Sequence, residues 1–158
     1  MGEQTNILIF ENIRSAENVG AMFRTADATG IDKIYLVGIT PCPIDRFGRK
    51  RTDIAKSALG GEESVLWEYK KEILPLIEEL KKDNFKIFAL EQDEKSIYYK
   101  DIVLGEKNVF IVGNEVSGVS HEVLQAVNQI AEIPMKGEKE SLNVSVSLGV
   151  FLYGVLRI

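Results

Sequence analysis

Phe110-Ile111-Val112-Gly113-Asn114-Glu115-Val116-Ser117-Gly118-Val119-Ser120 is an apolar run that breaks into a glycine-rich polar turn. A short continuous apolar run of this kind reads as a strand covered on both faces. Ile133-Pro134-Met135-Lys136-Gly137 is a second turn, and Ser141-Leu142-Asn143-Val144-Ser145-Val146-Ser147 leads from it into a long apolar segment. Two such loops, each ending a buried strand, are what a crevice for a small organic ligand looks like in an α/β sheet.

Working outward, the upstream chain alternates strands and helices. Ile7–Phe10 is a buried strand. Ser15–Thr29 predicts a helix, because Val19, Met22, Phe23 and Ala26 recur at three- and four-residue spacing and Gly30 supplies a stop. Ile34–Gly38 is the second strand, followed by a long loop to Arg51 and a short helix over Asp53–Ala58 with Thr52 as its cap. Val65–Trp67 is a brief strand, and Lys71–Lys82 a helix with Pro75 tolerated in its first turn. Ile87–Leu90 and Val109–Val112 are buried strands, and Ser120–Val127 is a helix with Ser120 as N-cap. The pattern predicts an α/β fold, a mostly parallel sheet with helices on both faces. From Val144 the signal divides: Val144, Val146 and Leu148 alternate as in a strand, whereas Leu148, Phe151, Leu152 and Val155 keep helical spacing.

With 158 residues, 45% of them hydrophobic, and no repeat or linker, residues 1–158 read as a single domain with a substantial core. A lone cysteine, Cys42, between Pro41 and Pro43, excludes an internal disulfide and a cysteine-rich zinc site, and no metal is expected. The polar opening residues carry no secretory signal. Leu142–Leu156 is shorter than the roughly 20 residues of a membrane span and is interrupted by serines and glycines. A soluble cytoplasmic protein is the expectation. The net charge of −5 opposes a simple nucleic-acid binder. Between Ile44 and Gly60, however, Arg46, Arg49, Lys50, Arg51 and Lys56 face only Asp45 and Asp53. Phosphate contacts are therefore expected there, through Arg46, Arg49, Lys50 and Arg51.

The glycines exclude the common nucleotide-binding α/β domains. Their GxGxxG turn or phosphate loop follows the first strand, yet after Phe10 there is only Gly20 before Gly30, and the glycine turns come late. Those late turns, together with Asn18-Val19-Gly20-Ala21-Met22-Phe23-Arg24-Thr25-Ala26, resemble the three signature motifs of the SpoU (TrmH) family, in order and over nearly the whole chain. That family belongs to the SPOUT class of RNA ribose methyltransferases. The resemblance implies a C-terminal trefoil knot wrapping S-adenosylmethionine and an obligate homodimer. In that dimer the N-terminal helix of one protomer lies near the knot of the other. It also decides the last segment for a helix, and implies methyl transfer to a ribose 2′-hydroxyl of tRNA or rRNA. The alternative is a non-catalytic RNA- or ligand-binding module that keeps the fold. Larger relatives carry an RNA-binding extension, and none is evident here.

By the same resemblance Leu90, Gly113, Asn114, Ile133, Met135 and Leu142 would hold the cofactor. Gly113 has a reason of its own, since a side chain there would block backbone approach to a ligand. Arg24 is the residue expected to carry the reaction. A guanidinium does not give up its proton under ordinary conditions. Arg24 is therefore expected to grip a phosphate and stabilise charge on the attacking oxygen, with the phosphate or a water taking the proton. Asn18 is expected to cap the first helix or fix the adjoining loop, and Glu115 to orient loop amides or the arginine rather than act as a free acid. Ser141 is expected to cap the final helix, with Asn143 holding a loop beside the ribose. His121, Trp67, Tyr98 and Tyr99 are read as structural.

Overall fold

A computed structural model describes residues 2–158. The chain runs β1 (Thr5–Glu11), α1 (Ala16–Ala28), β2 (Lys33–Val37), α2 (Thr52–Ala58), α3 (Gly61–Ser64), β3 (Leu66–Lys70), α4 (Ile73–Lys82) and β4 (Lys86–Leu90). It continues through β5 (Ile97–Tyr98), a 3-10 turn (Tyr99–Asp101), β6 (Lys107–Val112), α5 (His121–Ala126), β7 (Gln129–Glu132) and α6 (Val144–Leu156). The strands form one seven-stranded sheet in the order β3-β2-β1-β6-β4-β7-β5, and every registered pair is parallel.

Alternation along each strand builds two cores. Leu8, Phe10, Ile34, Leu36, Phe88 and Phe110 face α1, α2 and α6. Their neighbours Ile7, Ile9, Tyr35, Ile87, Val109 and Ile111 face α4 and α5. Helices thus cover both faces, which is why the strands read as continuous apolar runs rather than alternating ones. On the first face Phe110 packs edge-on against Phe151 of α6, centroids 5.3 Å apart. Truncating such a buried ring costs about 3–5 kcal/mol. Gly20 lets α1 lie directly on α2, because a Cβ there would meet the Ser57 hydroxyl and the Ile54 carbonyl.

Several local expectations need correction. Ser15 caps α1, its hydroxyl accepting from the Asn18 amide at 3.1 Å, so Asn18 is not the cap. Arg51, not Thr52, occupies the N-cap of α2, and no side chain caps that helix. Ser120 stands at the N-cap of α5 but makes no capping bond; its hydroxyl donates to buried Glu11 instead, at 2.7 Å. The cap of α6 is Asn143, which accepts from the Ser145 amide at 2.9 Å, rather than Ser141. The last segment is one helix throughout. β5, two residues long, escaped the sequence reading, and β7 was implied only by the turn that ends it, because Gln129, Ala131 and Glu132 around Ile130 are weak strand formers. Tyr99 is buried, but Tyr98 is exposed rather than core.

Candidate functional site

The adjacent strands β6, β4 and β7 end together at their carboxyl edge, and a cavity of about 390 Å³ opens above them. Leu90 at the end of β4, Gly113 and Asn114 after β6, Ile133 and Met135 after β7, and Leu142 before α6 all line it. Glu115 and Ser141 line it as well. Parallel strands deliver their loops to one edge, and that geometry brings residues as far apart in sequence as Leu90 and Leu142 onto one wall.

The loop after β6 is folded back on itself. Asn114 and Gly118 exchange backbone hydrogen bonds at 3.1 and 2.9 Å. The Asn114 side chain accepts from the amides of Val116 and Ser117 and donates to the Asn12 carbonyl at 2.8 Å. A Cβ on Gly113 would collide with the Gly118 carbonyl group and the Val119 nitrogen. The glycine is therefore required by its own loop's return, a different reason from the ligand approach expected. Gly118 has φ of 71°, where glycine is favoured, and its Cα faces the Glu91 carboxylate closely. Glu91 accepts from the Val119 amide at 2.9 Å and from the Gln92 amide at 2.9 Å. Glu91 lines the cavity and was missed in the sequence. Its only signal is its place directly after a buried strand.

Glu115 ties this loop to the start of α1. It accepts from the amides of Arg14 and Ser15 at 2.8 Å each, and from Asn18 Nδ2 at 3.0 Å. Burial opposes its ionisation, but these three donors outweigh it and hold the carboxyl below its ordinary range. Asn18 Oδ1 in turn accepts from Asn143 Nδ2 at 3.3 Å. Asn18, Glu115 and Asn143, from three distant segments, thus form one chain of side-chain contacts from α1 across the loop to the cap of α6.

Arg24 does not line this cavity. It is exposed on α1, near Gly61, and makes no ion pair with Glu17, Asp27 or any other described residue. The expected phosphate-contacting residues lie on a separate loop. Arg49 pairs with Asp45 at 3.2 Å, Lys50 with Glu63 at 2.8 Å and Arg51 with Asp53 at 2.6 Å. Arg46 alone of the four has no carboxylate partner among the described residues. Much of the local positive charge is thus offset, by Asp45 and Asp53 of the same stretch and by Glu63 beyond it. Cys42 is half-buried, and burial pushes its thiol up, away from the reactive thiolate. Among the described residues no group of three or more His, Cys, Asp or Glu side chains could hold a metal ion, and no helix is long and apolar enough to cross a membrane.

A parallel sheet whose cofactor-sized cavity is built from C-terminal turns, with no phosphate loop after its first strand, defines a class apart from the dinucleotide-binding folds. The chain belongs to the SpoU rRNA Methylase family, whose profile matches residues 5–153. It is 29% identical over 155 residues to the tRNA (guanosine(18)-2'-O)-methyltransferase of Aquifex aeolicus (strain VF5), covering 98% of this chain and 70% of that protein. It is 29% identical over 157 residues to the 23S rRNA (guanosine-2'-O-)-methyltransferase RlmB of Xylella fastidiosa (strain 9a5c), covering 99% of this chain and 60% of the relative. An AdoMet-bound rRNA methyltransferase from Sinorhizobium meliloti superposes with a TM-score of 0.85 at 24% identity, over 99% of this chain and 57% of that one. The chain thus spans between 57% and 70% of the length of these proteins.

Proposed function

We propose that this protein methylates a ribose 2′-hydroxyl in tRNA or rRNA with S-adenosylmethionine as donor. The observation that carries the reading is the convergence of Leu90, Gly113, Asn114, Ile133, Met135 and Leu142 on one cavity, in a chain whose relatives are named as tRNA and rRNA 2′-O-methyltransferases. The cavity suits the donor. Its volume falls in the range of about 300–1,000 Å³ typical of small-ligand sites, and Leu90, Ile133, Met135 and Leu142 offer apolar walls to an adenine.

When bound, S-adenosylmethionine supplies an electrophilic methyl group on a sulfonium. The residues of this chain then have to place the acceptor oxygen in line at about 3–3.5 Å and keep water out. Glu115 is a positioning residue: its carboxylate stays ionised and holds the loop against α1. Asn18 and Asn143 continue that brace to the final helix, and Ser141 offers a hydroxyl at the cavity rim. Arg24 grips the phosphate beside the target ribose and stabilises the oxygen as its negative charge grows, while the phosphate or a water takes the proton. Because Arg24 stands outside its own chain's cavity, this role calls for a second copy that brings its α1 to the rim. A homodimer and a C-terminal trefoil knot are therefore part of the proposal, as are a single catalytic domain over 1–158 and a cytoplasmic location. RNA would lie along the Arg46–Arg51 loop, with Arg46, Arg49, Lys50 and Arg51 facing phosphates.

Incubation with methyl-labelled donor and total RNA tests the reading, followed by mapping of the label to ribose. Incorporation is expected for the wild type and should fall by roughly 10²–10³ in Arg24→Ala, with cofactor affinity unchanged. Label retained by Arg24→Ala would remove that residue from the chemistry. No label at all in RNA would leave the non-catalytic binding module.

A further inference from the structure

Resting on the reading above, we propose that the loop tip Arg46-Phe47-Gly48-Arg49 is a stacking platform for one unpaired nucleobase of the RNA. Phe47 is 66% exposed, yet the backbone beneath it is tightly held. Asp45 Oδ1 accepts from the amides of Phe47 and Arg49 at 2.8 and 2.9 Å. The Asp45 amide donates to the Arg49 carbonyl at 2.8 Å, and the Gly48 amide donates to the Asp45 carbonyl at 3.0 Å. Gly48 supplies the left-handed corner at φ 77°. The Phe47 amide is held by Asp45 Oδ1, so the exposed ring is carried on a turn that needs no further ordering.

Two cations lie over that ring. The guanidinium carbons of Arg46 and Arg49 stand 4.9 and 5.0 Å from its centroid. Arg49 is also engaged by Asp45, whereas Arg46 is unpaired among the described residues. The exposed ring offers a π-surface on which a base can stack in place of a guanidinium, and the two cations offer charge to the adjoining phosphate. Such pairing of stacking surface with cations is how single-stranded RNA is taken up without base-specific hydrogen bonds. A duplex keeps its base faces stacked internally and cannot use the ring. The ligand class is therefore an RNA loop or single strand, and the rest of this loop (Lys50 and Arg51, already paired to carboxylates) contributes charge rather than stacking.

The test measures binding of a short oligoadenylate and of an RNA duplex of equal length to the full chain, to Phe47→Leu and to Phe47→Trp. Calorimetry with S-adenosylmethionine accompanies each variant. Phe47→Leu keeps apolar bulk but has no π-face. It should bind oligoadenylate roughly tenfold more weakly, with duplex and cofactor affinities unchanged, and Phe47→Trp should restore the loss. Equal weakening for strand and duplex would mean that the ring only supports the loop, and would overturn the platform. So would unchanged oligoadenylate binding, no oligoadenylate binding by the wild type, or a shift in sedimentation showing that Phe47 packs against a protein. Methyl transfer by the wild type to total RNA reports separately on the underlying reading. Transfer with no Phe47 effect on oligoadenylate ends the platform alone. A Phe47 effect without transfer ends the enzyme reading alone.

Discussion

The loop after β6 and the loop after β2 both leave the carboxyl edge of the sheet, but they are built in opposite senses. In the first, carboxylates point at backbone: Glu91 holds the Val119 amide, Glu11 the Ser120 amide, and Glu115 the amides of Arg14 and Ser15. In the second, Asp45 holds the backbone of the loop tip, while Asp45, Glu63 and Asp53 each neutralise a cation that projects outward. One loop presents its shape and the other its side chains. Substitutions in the first should therefore act through geometry and those in the second through charge.

The sharpest break of that contrast is Gly113→Ala. The added methyl meets backbone of Gly118 and Val119, which cannot step aside as a side chain can. S-adenosylmethionine affinity by calorimetry should fall by on the order of a hundredfold, and the overpacked fold should lose about 1–3 kcal/mol in denaturant titration. Normal cofactor binding by Gly113→Ala would show that the loop's return is not what shapes the cavity.

A smaller effect belongs to Glu115→Gln, which keeps the shape but removes the charge that three donors address. Because the folded carboxyl titrates below its ordinary range, its stabilisation is fully present above the unfolded value. It is lost as pH falls through the lowered folded one. Denaturant titrations between neutral and acidic pH should therefore show the wild type losing its advantage over Glu115→Gln on acidification. A constant gap between the two would place the stabilisation elsewhere.

Within the second loop the four cations should differ. Arg46→Ala should lower the slope of log affinity for RNA against log salt by about one, because that guanidinium has no carboxylate to leave. Lys50→Ala, whose ammonium already sits on Glu63, should change the slope less and leave the melting temperature unmoved, since exposed pairs contribute little. The charge reversal Arg49→Glu with Arg51→Glu should reduce RNA binding without touching cofactor affinity. Equal slopes for Arg46→Ala and Lys50→Ala would mean that the crowding carboxylates move aside when RNA arrives.

Much of this architecture was legible before any coordinates. Helical spacing in Val19, Met22, Phe23 and Ala26 located α1 with its Ser15 start, and the apolar runs located β1, β2, β4 and β6. The glycine-rich turns after buried strands left a local mark, but the individual cavity residues came from the resemblance to the SpoU family, since each alone is ordinary core or turn material. Helix caps were less legible: Thr52, Ser120 and Ser141 are cap-forming types, yet the capping geometry fell to Asn143 and Ser15 or to no side chain at all. Glu91 carries no motif, and its role depends on which amide lies opposite it.

Residue order alone determined the alternation of strand and helix, the absence of an early phosphate loop and the late position of the glycine-rich turns, since each depends on neighbours within a few positions. Tertiary structure decided which charges meet. It set Lys50 against Glu63, left Arg46 without a carboxylate, joined Asn18 to Glu115 and Asn143, and put Arg24 outside its own chain's cavity. Those pairings depend on separations of a few ångströms between segments far apart in sequence. No local pattern encodes them.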